Sequence, residues 1–251
     1  MADSAETTAH TTPPTPRTRL IGREQERATA RGLLIDESVP LLMLTGPGGV
    51  GKTRVALAVA SDVESQFADG VVWVDLAALN DPGLVPLTVA RALGIVPGPD
   101  VTFEEAIARH LHPQQTLLLI DNCEHLLTAI AALASSLLAT CPALQLLTTS
   151  RAPLRVRGEQ EFPVEPFPLP SAAEAAGPGL VDNPAVRLFL ERARAVNPNF
   201  ASEDSTLADV AEICRRLDGL PLAIELAAAH ARVLSAAALR DRLERRLSLL
   251  E

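Results

Sequence analysis

The eight residues Gly46-Pro47-Gly48-Gly49-Val50-Gly51-Lys52-Thr53 fit the spacing G-x-x-x-x-G-K-[ST]. They follow the apolar run Leu41-Leu42-Met43-Leu44-Thr45 and precede the helix-prone Arg54-Val55-Ala56-Leu57-Ala58-Val59-Ala60. Strand, glycine-rich loop and helix are the setting in which backbone N–H groups can turn inward around phosphate oxygens. The positive end of the helix points at the same anion. In this pattern Lys52 reaches the β- and γ-phosphates and the Thr53 hydroxyl ligates Mg²⁺, with Arg54 directly behind them. The reading is of a P-loop, with Gly46, Pro47, Gly48, Gly49, Val50, Gly51, Lys52, Thr53 and Arg54 as the binding set for a nucleoside triphosphate or diphosphate.

A second group of residues bears on the same chemistry. Leu117-Leu118-Leu119-Ile120-Asp121 is an aliphatic run ending in an acid, which places Asp121 at a strand tip where it can hold the Mg²⁺ shell through water. The bland alternative is an acid capping the next helix. Asn122, a poor general base, follows where many P-loop ATPases carry an acid. Glu124 is the nearest other acid; it can polarise water, or it can stabilise the N-terminus of the following helix through the macrodipole. Both readings stand on the sequence. Cys123 reads as a small buried thiol and His125 as helix surface. Thr148-Thr149-Ser150-Arg151 closes a further strand, and its Arg151 can approach the γ-phosphate and sense charge that ADP lacks, unless it is a surface residue of the turn.

These residues need a scaffold, and the composition permits one. Of 251 residues 47% are hydrophobic and 21% charged, while aromatics are 3% with no Tyr, so the core is packed with Leu, Ala and Val. A net charge of −9 argues against direct nucleic-acid contact by this segment. Three widely spaced cysteines without a C-x-x-C pair suit a reducing compartment. No signal-type or membrane-spanning run is present, and a cytoplasmic location is expected.

The pattern along the chain is α/β. Residues 1–18, rich in Thr and Pro, read as a disordered tail. Residues 19–168 read as a nucleotide-binding domain, with buried strands at Leu41–Thr45, Val71–Leu76, Leu117–Asp121 and Leu144–Thr149, and Phe162–Val164 as a candidate fifth. Helices are expected after the loop, near Leu84–Leu93, at Phe103–Leu111 and over Glu124–Thr140. Continuous apolar strands alternating with helices predict a parallel sheet covered on both faces. Residues 169–183 read as a linker and 184–251 as an all-helical domain. There Asn183-Pro184 opens one helix, Ser202-Glu203-Asp204 a second, Pro221 a third running to about Leu234, and the last carries Leu239, Leu243, Leu247 and Leu250.

Two further segments, Leu20-Ile21-Gly22-Arg23-Glu24-Gln25-Glu26 and Gly219-Leu220-Pro221-Leu222-Ala223, join the motifs above and Val71-Val72-Trp73-Val74-Asp75-Leu76 in one ordered set. The set resembles the NB-ARC branch of the STAND (AP-ATPase) P-loop NTPases over about residues 19–250. More narrowly it is similar to the nucleotide-binding part of large bacterial transcription regulators, including those with LuxR-type DNA-binding domains. The resemblance implies an ATP/ADP switch with slow hydrolysis, using Mg²⁺ and clamping nucleotide between the two domains. It also implies self-association or an effector domain in the full-length protein. It places Ile21 and Arg23 against the adenine through backbone contacts, and Pro221 and Leu222 on the base from the helical side. That family continues into a winged-helix domain whose histidine contacts the β-phosphate of ADP. No such segment is legible before Glu251, so a fragment or a minimal member is expected. Rival readings are a steady-turnover AAA+-like ATPase, against which Asn122 weighs, and a small-molecule kinase, for which no acceptor-binding acid or arginine lid is seen. A non-hydrolysing nucleotide-binding scaffold is a third.

Overall fold

In a computed structural model the described residues are 11–170, 178–200 and 204–247. Five strands, β1 (Leu41–Thr45), β2 (Val71–Asp75), β3 (Leu117–Asp121), β4 (Gln145–Thr149) and β5 (Glu159–Pro163), form one parallel sheet in the order β2-β3-β4-β1-β5. All five residues of β1 and of β3 are buried. This is what their unbroken aliphatic sequences require, because a central parallel strand is covered on both faces. The strand order puts β4 between β1 and β3. The C-terminal tips carrying Thr45, Thr149 and Asp121 therefore lie on one edge of the sheet, where ligands of open α/β sheets bind.

The helices of this part are α1 (Glu24–Ile35), α2 (Lys52–Val63), α3 (Val85–Ala92), α4 (Phe103–Leu111) and α5 (Leu127–Thr140). Thr102 starts α4 with a reciprocal capping box to Glu105, two donors satisfied at once. Sequence periodicity does not announce α1, whose buried residues are only Ala30 and Leu34. The expected helix over Glu124–Thr140 begins instead at Leu127, after a 3-10 turn over Cys123–His125. The cause is local: Asn122 takes φ 62°, the left-handed region tolerated best by Gly, Asn and Asp, and bends the chain away from β3 before a helix can form.

The described chain divides into two compact units. Among the described residues one comprises 11–19, 25–46 and 52–164, the other 20–24, 47–51 and those that follow 164. Two short early segments thus group with the helical unit. In the first unit a core of Leu41, Met43, Val72, Val74, Leu118, Ile120, Ile130 and Leu146 fills the space between sheet and helices. Residues 11–18, expected to be part of an unstructured tail, contact this unit. The Trp73 N–H on edge strand β2 donates to Thr11 O at 2.8 Å, and Thr11 N–H donates to Ala92 O at 2.9 Å. An edge strand has unpaired backbone groups on its open side, and Thr11 satisfies one of them.

The helical unit contains α6 (Pro184–Val196), α7 (Asp204–Arg216), α8 (Pro221–Ala229) and α9 (Ala236–Leu247). Its core brings Val186, Phe189, Leu190, Val210, Cys214, Ile224 and Ala228 together with Ile21 and Phe167. Asn183 caps α6 by accepting from Ala185 and Val186, with Pro184 at the first helical position. The helix expected to run from Pro221 to about Leu234 ends at Ala229 and continues as a 3-10 turn, His230–Arg232. Ser202, Glu203 and Leu250 lie outside the described residues, as does part of the expected linker. In the remainder of that linker Pro178–Asp182 forms a 3-10 turn.

Candidate functional site

In the sheet-bearing unit the tips of β1, β3 and β4 bring the expected groups together around Asp121. This carboxylate is 2% exposed. It accepts from the Thr53 hydroxyl at 2.9 and 3.0 Å, from the Asn122 side-chain amide at 2.9 Å, and from the Thr149 hydroxyl. Burial pushes its pKa above the ordinary carboxylate value; the Thr149 and Thr53 hydroxyls oppose the shift, and the negative charges of Asp75 and Glu124 add to it. The site thus holds an acid short of positive charge. Thr53 and Asp121 offer hard oxygen donors within one hydrogen bond of each other, which suits Mg²⁺ held partly by phosphate and water. Among the described residues no cluster of three His, Cys, Asp or Glu could hold a metal, so protein groups alone do not form a cage.

Lys52 is buried and donates to Gly46 O at 2.9 Å, arching over the start of the loop. Burial lowers its pKa; the charge of Glu124 opposes this, Arg151 adds to it, and Asp121 opposes it more weakly. Glu124, Arg151 and Asp121 are therefore near enough for Lys52 to feel their charges. Arg151 is largely exposed, with Nε 3.2 Å from Glu124 Oε1. The other carboxylate oxygen of Glu124 is buried and has no hydrogen-bond partner. Since α5 starts only at Leu127, Glu124 stands three residues ahead of that helix, in its own short turn. Asn122, Glu124, His125, Arg151, Ala77 and Ala152 line a cavity of about 550 Å³.

Other expected residues sit differently. The Arg54 guanidinium is engaged by Thr18, donating to its hydroxyl at 3.0 Å and its carbonyl at 2.7 Å. Cys123 is fully buried, and burial pushes its thiol pKa far up, so it is no nucleophile at neutral pH. His125 hydrogen-bonds the Leu79 carbonyl at 2.6 Å.

In the helical unit the middle of the loop, Pro47–Gly51, groups with Ile21, Arg23, Pro221 and Leu222. Ile21 and Arg23 are 4% and 3% exposed, so neither side chain is open to a ligand. Leu222 is half exposed, and its N–H at the start of α8 donates to Gly49 O at 3.0 Å. Gly49 has φ 79°, and a Cβ there would lie 3.0 Å from Leu222 Cβ. A side chain at this position would push the two segments apart.

Sequence reasoning passed over Thr149, which donates to Asp121 and accepts from the Asn122 N–H at 3.0 Å. Two threonines ending an apolar strand were its only signal. It also passed over Phe167, whose ring faces the Arg23 guanidinium at 4.4 Å.

Residues 26–161 match the family described as AAA domain. A Mycobacterium tuberculosis protein, whose name proposes an HTH-type transcriptional regulator, is 43% identical over 204 residues, covering 81% of this chain and 22% of that protein. The regulatory protein AfsR of Streptomyces griseus is 30% identical over 217 residues, covering 81% of this chain and 19% of AfsR. The chain thus spans about a fifth of the length of these two relatives. The structure of a signal transduction ATPase with numerous domains, with a tetratricopeptide repeat sensor, from Pyrococcus horikoshii superposes with a TM-score of 0.55 at 14% identity. That superposition covers 92% of this chain and 33% of the other, a likeness of fold.

Proposed function

The chain belongs to the AAA-domain family of P-loop NTPases, and from that premise we propose that it is the ATP/ADP-binding switch module of a transcriptional regulator. In this reading it is a STAND ATPase of NB-ARC type, cytoplasmic, with slow hydrolysis. The observation that carries the reading is the convergence of Lys52, Thr53 and Asp121 on one sheet edge, with Glu124 and Arg151 beside them. The regulatory half of the reading is supported by the names of the longer relatives.

Each residue has a role. Lys52 neutralises the β- and γ-phosphates, and loop amides bind their oxygens. Thr53 and Asp121 would hold Mg²⁺, which would neutralise phosphate charge. Pro221 and the half-exposed Leu222 offer apolar surface to the adenine, and Ile21 only its backbone. Arg151 distinguishes ATP from ADP, because only ATP carries the terminal charge it can meet. A switch of this kind needs differential affinity between its two states, and the Arg151 contact provides it. Slow hydrolysis follows from Asn122: its amide donates to Asp121 and cannot accept a proton from water. Hydrolysis then resets the switch.

One observation favours a second reading, a steady-turnover ATPase. The buried Glu124 oxygen without a hydrogen-bond partner is the kind of acceptor that could take a proton from water once Arg151 moves away. The two readings separate in one experiment. Purified protein incubated with excess Mg-ATP should release less than one phosphate per protein over the time in which bound nucleotide exchanges. Sustained multiple turnover would overturn the switch reading in favour of the second, and failure to bind either nucleotide would remove both.

A further inference from the structure

Arg23 is a charged side chain with 3% exposure, and burying a guanidinium carries a cost that only specific contacts offset. Its Nη2 donates to Val50 O at 3.1 Å and to Glu165 O at 2.8 Å, and its plane lies 4.4 Å from the Phe167 ring centroid. One guanidinium nitrogen thus donates to both carbonyls, and the cation–π contact with an aromatic ring adds to the bridge. Phe167 is itself fixed: its N–H donates to Gly219 O at 3.0 Å. Gly219 has φ 65°, and a Cβ there would lie 2.3 Å from Phe167 O. Beside this the Leu222 N–H holds Gly49 O. Two consecutive carbonyls of the phosphate loop are therefore tied to the segments carrying Gly22-Arg23 and Gly219–Ala223.

The consequence follows from peptide geometry. In a trans peptide the C=O and the next N–H point in opposite directions. With the Val50 carbonyl drawn toward Arg23, the Gly51 N–H is directed away from it. The Val50 N–H turns back on Pro47 O at 3.4 Å, closing the loop. We propose that Arg23 is a positioning residue for the phosphate loop, holding the Val50 carbonyl so that the Gly51 amide is presented to a nucleotide phosphate, and that its side chain does not read the base. This rests on the proposed nucleotide reading. It differs from a role against adenine in one measurable respect: a positioning residue acts on any ligand with the same phosphates.

The test is titration of the whole chain and of Arg23→Lys with ADP and with inosine diphosphate, which share the diphosphate and differ at the base edge. Hydrogen exchange over 46–53 is followed in parallel. Lysine keeps the charge, but its nitrogen stops one bond short of Nη2 and it lacks the planar group that lies over Phe167. Both affinities should fall by roughly tenfold, as for loss of one charge-assisted hydrogen bond, with their ratio unchanged and exchange over 46–53 faster. Arg23→Met, which keeps the apolar stem and has no donor, should show at least the same loss and serves where the lysine variant folds poorly. A changed ADP-to-IDP ratio with unaltered exchange would give Arg23 to the base and overturn the proposal. Unchanged affinities would reduce it to a tie between Glu165 and the loop. If the wild type binds neither nucleotide, the nucleotide reading fails, and exchange over 46–53 in the free proteins still tests whether Arg23 orders the loop.

Discussion

Replacing Thr53 with Val isolates one polar contact, because the two side chains match in shape and differ in a hydroxyl. That hydroxyl donates to both oxygens of Asp121, at 2.9 and 3.0 Å, as one forked hydrogen bond to a buried acid. A hydrogen bond to a charged group contributes about 1.5–3 kcal/mol. Asp121 keeps Thr149 and Asn122 as donors, so the loss belongs near the lower end, about 1.5 kcal/mol. For a chain of this size that lowers Tm by roughly 3–6 °C. The pH dependence has a definite sign. Burial already raises the Asp121 pKa above 3.8 in the folded protein, so its ionisation counts against the fold: its contribution is full below the unfolded pKa and is lost as pH rises through the folded one. Thr53→Val raises the folded pKa further, and the Tm deficit should be greatest at neutral pH and shrink on acidification as Asp121 protonates. Thermal melts across that range, with Thr53→Ser as the control that keeps the hydroxyl, measure it; Mg²⁺ titration in the presence of ATP should show weakened metal dependence in the valine variant alone. A Tm deficit independent of pH, with metal dependence intact, would refute the placement of Thr53 on an ionised Asp121.

Arg151→Ala should weaken ATP binding about tenfold or more while sparing ADP, for loss of one charge-assisted contact to the terminal phosphate; equal losses would return Arg151 to the surface. Gly219→Ala should cost about 1–2 kcal/mol from the left-handed backbone alone, and more from the contact with Phe167 O, read as a drop in Tm; an unchanged melt would contradict the described turn. Since burial lowers the Lys52 pKa and bound phosphate favours its charged form, ADP binding should be accompanied by proton uptake as the pH is raised toward that lowered pKa. Calorimetry in buffers of different ionisation enthalpy measures that uptake, and its absence would mean Lys52 does not meet phosphate.

The sheet was legible because its strands are short aliphatic runs bounded by punctuation. Leu41–Thr45 and Leu117–Asp121 have the expected limits, and β4 falls beside β3 as a parallel arrangement requires. The helix α1 was not legible, since its buried face is only Ala30 and Leu34. The start of α5 was misplaced because the turn at Asn122 depends on a backbone conformation that no periodicity encodes. Residues 11–18 were assigned to a tail by composition, yet Thr11 uses backbone groups to meet edge strand β2. Motif spacing singles out Lys52, Thr53, Asp121 and Arg151, which the fold brings near one another. It could not reveal that Thr149 supports Asp121, or that Arg54 is engaged by Thr18, because both depend on neighbours distant in sequence.

The central claim is that Lys52, Thr53 and Asp121 form one site for nucleotide phosphate and Mg²⁺. Calorimetric titration of Mg-ATP into the wild type and Lys52→Ala, with circular dichroism to verify the fold, tests it most directly. The wild type should bind with one site per chain, and Lys52→Ala should show no detectable binding while its spectrum stays the same. Unaltered affinity in a folded Lys52→Ala protein would contradict the account.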